Sequence, residues 1–302
     1  MNWSRKLALV LAISTFVLLL AGGLVHATGS GLACPDWPLC FGEILPNMVG
    51  GVLFEHTHRL IASFVATLTT ALLVLIWRTQ ETRALRGPAC FGLGLVLFQA
   101  VLGGLTVLYR LPLAVSATHL AVSMIFFCWS LWMVFHLVAK PRASTISADF
   151  TVSGVVALVY LQILLGALVR HTGAGLACSN DILLCHGGFP SDGPSWLHMA
   201  HRALGVVTMG VVLWATLKPL RLARANGFRF LQALCYCAQA VVCLQMLFGM
   251  LTVYSFVSIP LVTIHLGLGA LLLGTVWLLH LGLSARMAAP AVAPQYLVST
   301  EC

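Results

Sequence analysis

Charged side chains are scarce in this 302-residue chain, in which Asp, Glu, Lys and Arg together make up 8% of the residues. An average soluble domain has about 25%. Acidic residues are rarer than basic ones, with 8 Asp and Glu against 16 Lys and Arg. Because 60% of the residues are hydrophobic and the mean hydropathy is +0.99, the composition excludes a water-soluble globular domain. It predicts a protein that lies within a lipid bilayer.

Eight apolar runs are long enough to cross about 30 Å of hydrocarbon. They begin near Leu7, Phe54, Cys90, Leu113, Val152, Trp196, Phe230 and Ile259. The first run is long for a signal peptide, and no strong small-residue cleavage site follows it, so we expect it to remain as a helix. The sequence therefore predicts an all-α integral membrane protein with eight transmembrane helices.

The basic residues are distributed unevenly between the predicted loops. Twelve fall on one side of the membrane: Arg5, Lys6, Arg78, Arg83, Arg86, Lys140, Arg142, Lys218, Arg221, Arg224, Arg229 and Arg286. Only Arg59, Arg110, Arg170 and Arg202 fall at the opposite ends. The positive-inside rule then places both termini in the cytoplasm. We expect a multi-pass protein of the inner, cytoplasmic membrane. Since the charges are spread over short loops without interleaved aromatic residues, the net charge of +8 does not indicate nucleic-acid binding.

The chain contains an internal duplication. The segment GGLVHATGSGLAC at residues 22–34 matches GALVRHTGAGLAC at residues 166–178 in nine of thirteen positions. An even number of helices in each copy keeps the two copies parallel, related by an axis along the membrane normal. We therefore expect two tandem, pseudo-two-fold related four-helix bundles at residues 1–140 and 151–302, joined by a cytoplasmic linker at residues 141–150.

Four histidines keep equivalent positions in the two copies: His58 and His119 in the first, His201 and His265 in the second. An ionisable side chain inside an apolar span is unfavourable unless it has a partner or a function. Two imidazoles that face each other across a helix bundle suit a haem iron. Zinc fits less well because, in the second half, no nearby carboxylate or thiolate completes its usual three or four ligands. A hydrogen-bonded packing role is the alternative for any single histidine. We predict one metal centre in each bundle, at about the same depth.

The two copies differ beside these histidines. The first has Glu55 three residues before His58, whereas the second has His198 at the matching place. A carboxylate next to a bound substrate can act as a base or stabilise positive charge. We therefore expect the first half to be catalytic and the second to hold a permanent cofactor. An ion pair with Arg59 is the alternative role for Glu55, and both Arg59 and Arg202 could bind haem propionates or extend to the membrane interface.

Two cysteine pairs occupy matching loops on the predicted outer side: Cys34 with Cys40, and Cys178 with Cys185. In an oxidising compartment each pair can form a disulfide that closes a short loop. Such a bond can brace the loop or pass electrons by thiol–disulfide exchange. Four further histidines lie in or beside these loops, where we expect them to be solvated: His26, His56, His171 and His186.

Taken in order, these motifs resemble the haem A synthase family. The resemblance rests on EHTHR at residues 55–59, HMAHR at residues 198–202, the partners His119 and His265 and the two cysteine pairs, and it covers nearly the whole chain. It implies that a ring methyl of haem O is oxidised to a formyl group with oxygen from water, giving haem A for respiratory terminal oxidases.

The resemblance also implies a role for each residue. His58 and His119 would hold the substrate haem O, and Glu55 would stabilise a cationic intermediate or activate water. His201 and His265 would bind the iron of a haem b.

The implied partners are membrane lipid, haem O and haem A, the farnesyltransferase that makes haem O, and further copies of the chain in a homo-oligomer such as a trimer. The pair of Cys34 and Cys40 resembles the family's reactive disulfide. Two other classes remain alternatives on the residues alone: a di-haem, cytochrome b-like electron carrier, and a haem-binding chaperone or exporter.

Overall fold

The computed structural model describes residues 3–138, 150–179, 181 and 184–287. Within these ranges the chain forms eight α-helices: α1 Trp3–Ala27, α2 Gly50–Arg78, α3 Arg86–Leu108, α4 Leu113–Val138, α5 Phe150–His171, α6 Gly193–Ala225, α7 Arg229–Tyr254 and α8 Ile259–Met287. Short 3₁₀ turns lie at Gln80–Leu85 and Ala174–Leu176. All eight α-helices are long and apolar enough to span a membrane, which confirms the predicted all-α class. Residues 141–149 of the predicted linker lie outside the described residues.

The start of α6 shows how local sequence fixes the position of a helix. Asp192 precedes the helix and its carboxylate accepts a hydrogen bond from the Ser195 backbone N–H at 2.8 Å. Hydrogen bonds from Ser195 lower the pKa of Asp192 below its usual value, so the carboxylate is charged at neutral pH and caps the positive end of the helix. Pro194 follows in the first turn, where its missing N–H has no cost. This cap sets where His198 and His201 fall along α6.

The helices pack as two rings of four. In the first ring α1 contacts α2, α2 contacts α3, α3 contacts α4, and α4 returns to α1. The second ring runs through α5, α6, α7 and α8 and closes from α8 to α5. Within each ring, α2 stands opposite α4 and α6 stands opposite α8, and these are the helices that carry the four predicted ligands. The pseudo-two-fold relation of the two halves and the domain boundaries stay predictions.

The two rings share a continuous apolar interface along α1, α4, α5 and α8. One hydrophobic cluster combines Leu19 and Met124 of the first half with Val159 and Leu273 of the second. Two side chains also reach across it, because the Tyr160 hydroxyl donates to the Ala121 carbonyl at 3.1 Å and the Trp277 indole to the Cys128 carbonyl at 2.8 Å. The halves are therefore packed against each other through their cores.

Gly92 of α3 lies in a closely packed part of the first ring, where we expect a larger side chain to destabilise the fold. A Cβ at this position would lie 1.9 Å from Cζ2 of Trp129, and the indole cannot easily move because its Nε1 donates to the Pro88 carbonyl at 2.9 Å. We expect Gly92→Ala to lower the free energy of unfolding by about 1–3 kcal/mol through overpacking. The measurement is thermal unfolding of the purified chain in detergent.

Gly94 is the matched control, two residues along the same helix. A Cβ there meets nothing within 4 Å, so Gly94→Ala should leave the unfolding midpoint unchanged or slightly raised. Equal midpoints for the two variants would contradict the packing argument.

Candidate functional site

The four predicted ligands occupy equivalent positions along their helices. His58 and His201 each lie eight residues after the first residue of α2 and α6, and His119 and His265 each lie six residues after the first residue of α4 and α8. At a rise of 1.5 Å per residue, these offsets are about 12 Å and about 9 Å. Each half thus carries one pair of histidines, on opposite helices, near the ends that adjoin the cysteine loops.

Every one of these imidazoles packs against a glycine on the preceding helix. The pairs are Gly22 with His58, Gly103 with His119, Gly166 with His201, and Gly249 with His265. A Cβ at these glycines would lie 3.0, 3.5, 2.8 and 3.0 Å, respectively, from Cε1 of the ring. The same device therefore recurs four times: a missing side chain leaves a slot that positions an imidazole. Sequence reasoning found the histidines and missed this contact.

In the second half the two imidazoles are separated by the space that an iron ion needs. The ring centres of His201 and His265 are 6.4 Å apart and the rings are nearly perpendicular, at 88°. Across two opposed imidazoles, two metal–nitrogen bonds of about 2 Å and two distances of about 1 Å from nitrogen to ring centre give about 6 Å. The separation of the ring centres fits the spacing of two imidazoles on either side of a haem iron.

In the first half, His58 of α2 and His119 of α4 occupy the matching places. Both are partly buried, as are the two second-half ligands. Nδ1 of each first-half ring is buried without a hydrogen-bond partner. The two halves therefore present the same donor set, one imidazole from each of two opposite helices.

Glutamine amides support two of the ligands from the neighbouring helix. Nε2 of Gln99 donates to the His119 carbonyl at 2.9 Å and to the Ser123 hydroxyl at 2.8 Å. Nε2 of Gln162 donates to the His201 carbonyl at 2.9 Å and lies 3.2 Å from Nδ1 of the same residue. These interhelical bonds hold the backbone from which the ligand projects.

Glu55 is buried, with 4% of its surface exposed. Its Oε1 accepts a hydrogen bond from Arg59 at 2.5 Å, and its Oε2 accepts one from the Cys34 backbone N–H at 2.8 Å. Arg59 also donates to the carbonyls of Asp36, at 2.7 Å, and Leu39. The ion pair with Arg59, which the sequence offered as the alternative role, is therefore present. It ties the first cysteine loop to α2 one turn before the first-half ligand.

The second half repeats this arrangement without the acid. His198 is 3% exposed, and its Nε2 accepts a hydrogen bond from Nε of Arg202 at 3.2 Å. Arg202 also donates to the Asp181 carbonyl at 2.5 Å. A neutral imidazole that accepts from an arginine thus replaces the carboxylate. Both arginines hold loop carbonyls, and their contact with haem propionates stays a prediction.

Both predicted disulfides are present, joining Cys34 to Cys40 and Cys178 to Cys185. All four cysteines are buried. Each disulfide-closed loop also contains a short antiparallel bridge. The bridge joins Cys40 to Glu43 in the first loop and Cys185 to Gly188 in the second. Each disulfide therefore braces a compact loop at the ligand-bearing end of its half.

An aspartate stabilises the turn inside each of these loops. The Asp36 carboxylate accepts hydrogen bonds from the backbone N–H groups of Phe41 and Gly42, at 2.7 and 2.8 Å, and Asp181 accepts from two loop amides in the same way. The Gly42 amide is the main cause that lowers the pKa of Asp36 below its usual 3.8. Folding lowers the pKa of Asp36, so these hydrogen bonds stabilise the folded chain fully when the pH is above the unfolded pKa of 3.8. The stabilisation is lost as the pH falls through the lower pKa of the folded chain.

The remaining histidines near the loops differ in their surroundings. His186 is exposed, as expected. The expectation of solvation is wrong for His56, which is 3% exposed because the first loop covers the start of α2. His26 and His171 are partly buried and form a pair across the two halves, with His26 Nε2 2.8 Å from His171 Nδ1.

Comparison with known proteins agrees with this architecture. The model of the cytochrome oxidase assembly protein family (COX15-CtaA) matches residues 5–49 and 49–277. A protein named heme A synthase from Bacillus cereus (strain AH187) is 29% identical over 276 residues, which cover 86% of this chain and 87% of the relative. A heme A synthase from Bacillus anthracis (strain CDC 684 / NRRL 3495) is 30% identical with the same coverage. The chain belongs to the cytochrome oxidase assembly protein family.

Proposed function

We propose that this chain is a haem A synthase, a membrane oxidoreductase that converts the ring methyl of haem O into the formyl group of haem A. The observation that carries the proposal is an asymmetry. Each four-helix ring carries one histidine pair on two opposite helices. A buried acid, Glu55, accompanies the first pair, while His198 accompanies the second. The relatives named heme A synthase support the same conclusion.

In this proposal His201 and His265 of the second half hold a resident haem b. Bound there, haem b supplies a one-electron redox centre. The chain contributes two imidazoles at a fixed separation, glycine slots behind both rings, and the Gln162 amide that holds the His201 backbone.

His58 and His119 of the first half hold the substrate, haem O. Converting a methyl group to a formyl group with one water releases four electrons and four protons, so a base near the reacting carbon is useful. Glu55 can take up a proton from that water or stabilise positive charge. Oε1 of Glu55 accepts from Arg59 and Oε2 accepts from the Cys34 backbone N–H, and each oxygen keeps a lone pair for a further hydrogen bond.

The first cysteine loop is part of this site because of its contact with Glu55. The Cys34 backbone N–H donates to Glu55, and Arg59 holds the carbonyls of Asp36 and Leu39. The Cys34–Cys40 disulfide thus keeps the loop in the conformation that orients the acid. In a redox reaction the same disulfide can also exchange electrons with an external dithiol.

The cellular setting is also part of the proposal. The excess of Lys and Arg on one side supports an inner-membrane protein with both termini in the cytoplasm. Haem O comes from the farnesyltransferase that makes it, so we expect this chain to contact that enzyme within the bilayer. We also expect the chain to associate as a homo-oligomer.

The test is the haem content of membranes with and without this chain. In a host that makes haem O and lacks haem A, expression should produce a haem in which one oxygen has replaced two hydrogens, seen by chromatography and mass spectrometry. A di-haem carrier would bind haem without changing any haem mass, and a chaperone or exporter would change amounts only. Unchanged masses at full expression would therefore overturn the proposal.

The contact between Gly166 and His201 predicts how a substitution at Gly166 affects haem binding. A Cβ at Gly166 would lie 2.8 Å from Cε1 of His201, so Gly166→Ala must displace the ring from its position opposite His265. We expect a loss of about 10–100-fold in haem affinity in the second half, the range seen when a metal ligand loses its orienting contacts. Haemin titration of the purified apoprotein, followed by absorbance, measures it.

Gly154 provides the control on the same helix, because a Cβ there meets nothing within 4 Å. Gly154→Ala should bind haemin like the unmodified chain. If Gly166→Ala binds equally well, the slot has no role in positioning the ligand.

A further inference from the structure

We propose that Cys34 and Cys40, once reduced, form with His56 a binding site for a soft d¹⁰ metal ion, copper(I). Sγ of each cysteine and a ring nitrogen of His56 all lie within 4.8 Å of one another. All three residues are buried, with exposures of 0%, 0% and 3%. In the oxidised structure the two sulfurs are bonded to each other, so the site exists only in the reduced chain.

The hydrogen bonding of His56 prepares it as a ligand. Its Nε2 lies 2.8 Å from the Ile44 carbonyl, and a carbonyl can only accept, so Nε2 carries the hydrogen. In the neutral ring Nδ1 then keeps a free lone pair. Nδ1 is buried and has no hydrogen-bond partner. Metal-bound histidines typically donate their other ring N–H to a carbonyl or carboxylate in this way.

The donor set selects the kind of metal. Two thiolates and one imidazole are soft or intermediate ligands, which favour copper(I) and zinc over magnesium or calcium. Zinc in structural sites takes four ligands, whereas this cluster supplies three. Three ligands match the low coordination number that copper(I) accepts.

The second half lacks this site, which makes it an internal reference. Met199 stands where the first half has His56, and its sulfur lies 3.8 Å from Nη1 of Arg202. The pair of Cys178 and Cys185 therefore has two sulfurs and no imidazole from the matching position. A copper site that depends on His56 should form in one half only.

The chemistry balances with one external reductant, a dithiol. The Cys34–Cys40 bond accepts two electrons and two protons from the dithiol, which becomes a disulfide. Copper(I) then forms two Cu–S bonds and one Cu–N bond, and the two thiols release two protons. Cys34 also donates its backbone N–H to Glu55. A movement of Cys34 when the two sulfurs separate therefore also affects the position of Glu55, which links metal binding to the acid.

The test uses the purified full-length chain, reduced with dithiothreitol and desalted without oxygen, in competition with the copper(I) chelator bathocuproine disulfonate. Maleimide labelling and mass spectrometry first count the reduced thiols. We expect the reduced chain to take one copper(I) from the chelator more tightly than its remaining cysteines do. His56→Phe should weaken this binding about tenfold or more, and Met199→Phe should leave it unchanged.

X-ray absorption of the one-copper form tests the ligands without any substitution. Two sulfurs and one nitrogen around copper support the proposal, whereas a shell of sulfur alone overturns it. Equal copper affinity in His56→Phe, equal binding by the oxidised chain, or failure of the folded chain to be reduced at Cys34 and Cys40 would each overturn it too. None of these measurements involves haem A, so they stand apart from the proposed enzyme activity.

Discussion

Glu55→Gln is expected to abolish haem A formation while the second half still binds its haem. Glutamine keeps an oxygen that can accept from the Cys34 backbone N–H but carries no charge and cannot act as a base. Removal of a positioned base typically lowers a rate by about 10²–10⁴-fold. Haem extracted from membranes should therefore contain haem O and almost no haem A, while the absorbance of the purified variant shows a bound haem.

Glu43 is the matched control because it lies on the same cysteine loop and is exposed. Glu43→Gln should produce haem A at the normal level. Normal haem A in Glu55→Gln would leave the acid as a partner of Arg59 only, and the asymmetry between the two halves would lose its catalytic meaning.

The helices themselves could be predicted from the sequence with little error. The apolar runs that begin at Leu113 and Ile259 coincide with the first residues of α4 and α8, because loops end there and hydrophobic residues follow at once. The largest differences lie at α1, α2 and α3, each of which begins four residues before the predicted position. Hydropathy detects the apolar part of a helix, whereas polar and charged residues such as Arg86 extend it beyond that part.

The ligand set could be predicted because duplication marks it twice, and the glycine slots could not. The contact between Gly22 and His58 joins two helices, so no local pattern reveals which ring faces which glycine. Burial of His56 was missed for the same reason, since it depends on how the loop at residues 28–49 folds over α2. The Cys34 backbone contact with Glu55 likewise belongs to the tertiary structure. Sequence thus identified the chemical groups, and packing determined their neighbours.

The contrast between His201→Ala and His58→Ala should separate the two halves. Loss of either second-half imidazole removes one of two opposed ligands, so we expect His201→Ala to lose the resident haem. The drop in affinity should exceed the about 10–100-fold that follows when a ligand loses only its supporting hydrogen bond. His58→Ala leaves the second ring intact, so the purified variant should keep that haem and fail to make haem A.

His136→Ala controls for the loss of a histidine as such, because His136 is exposed near the opposite end of α4. Its haem content and haem A formation should equal those of the unmodified chain. The decisive quantity is the haem bound per chain, measured by absorbance after purification in detergent. Identical haem loss in His58→Ala and His201→Ala would mean that the two pairs act as one site, because separate resident and substrate haems require that the second half bind iron without help from the first.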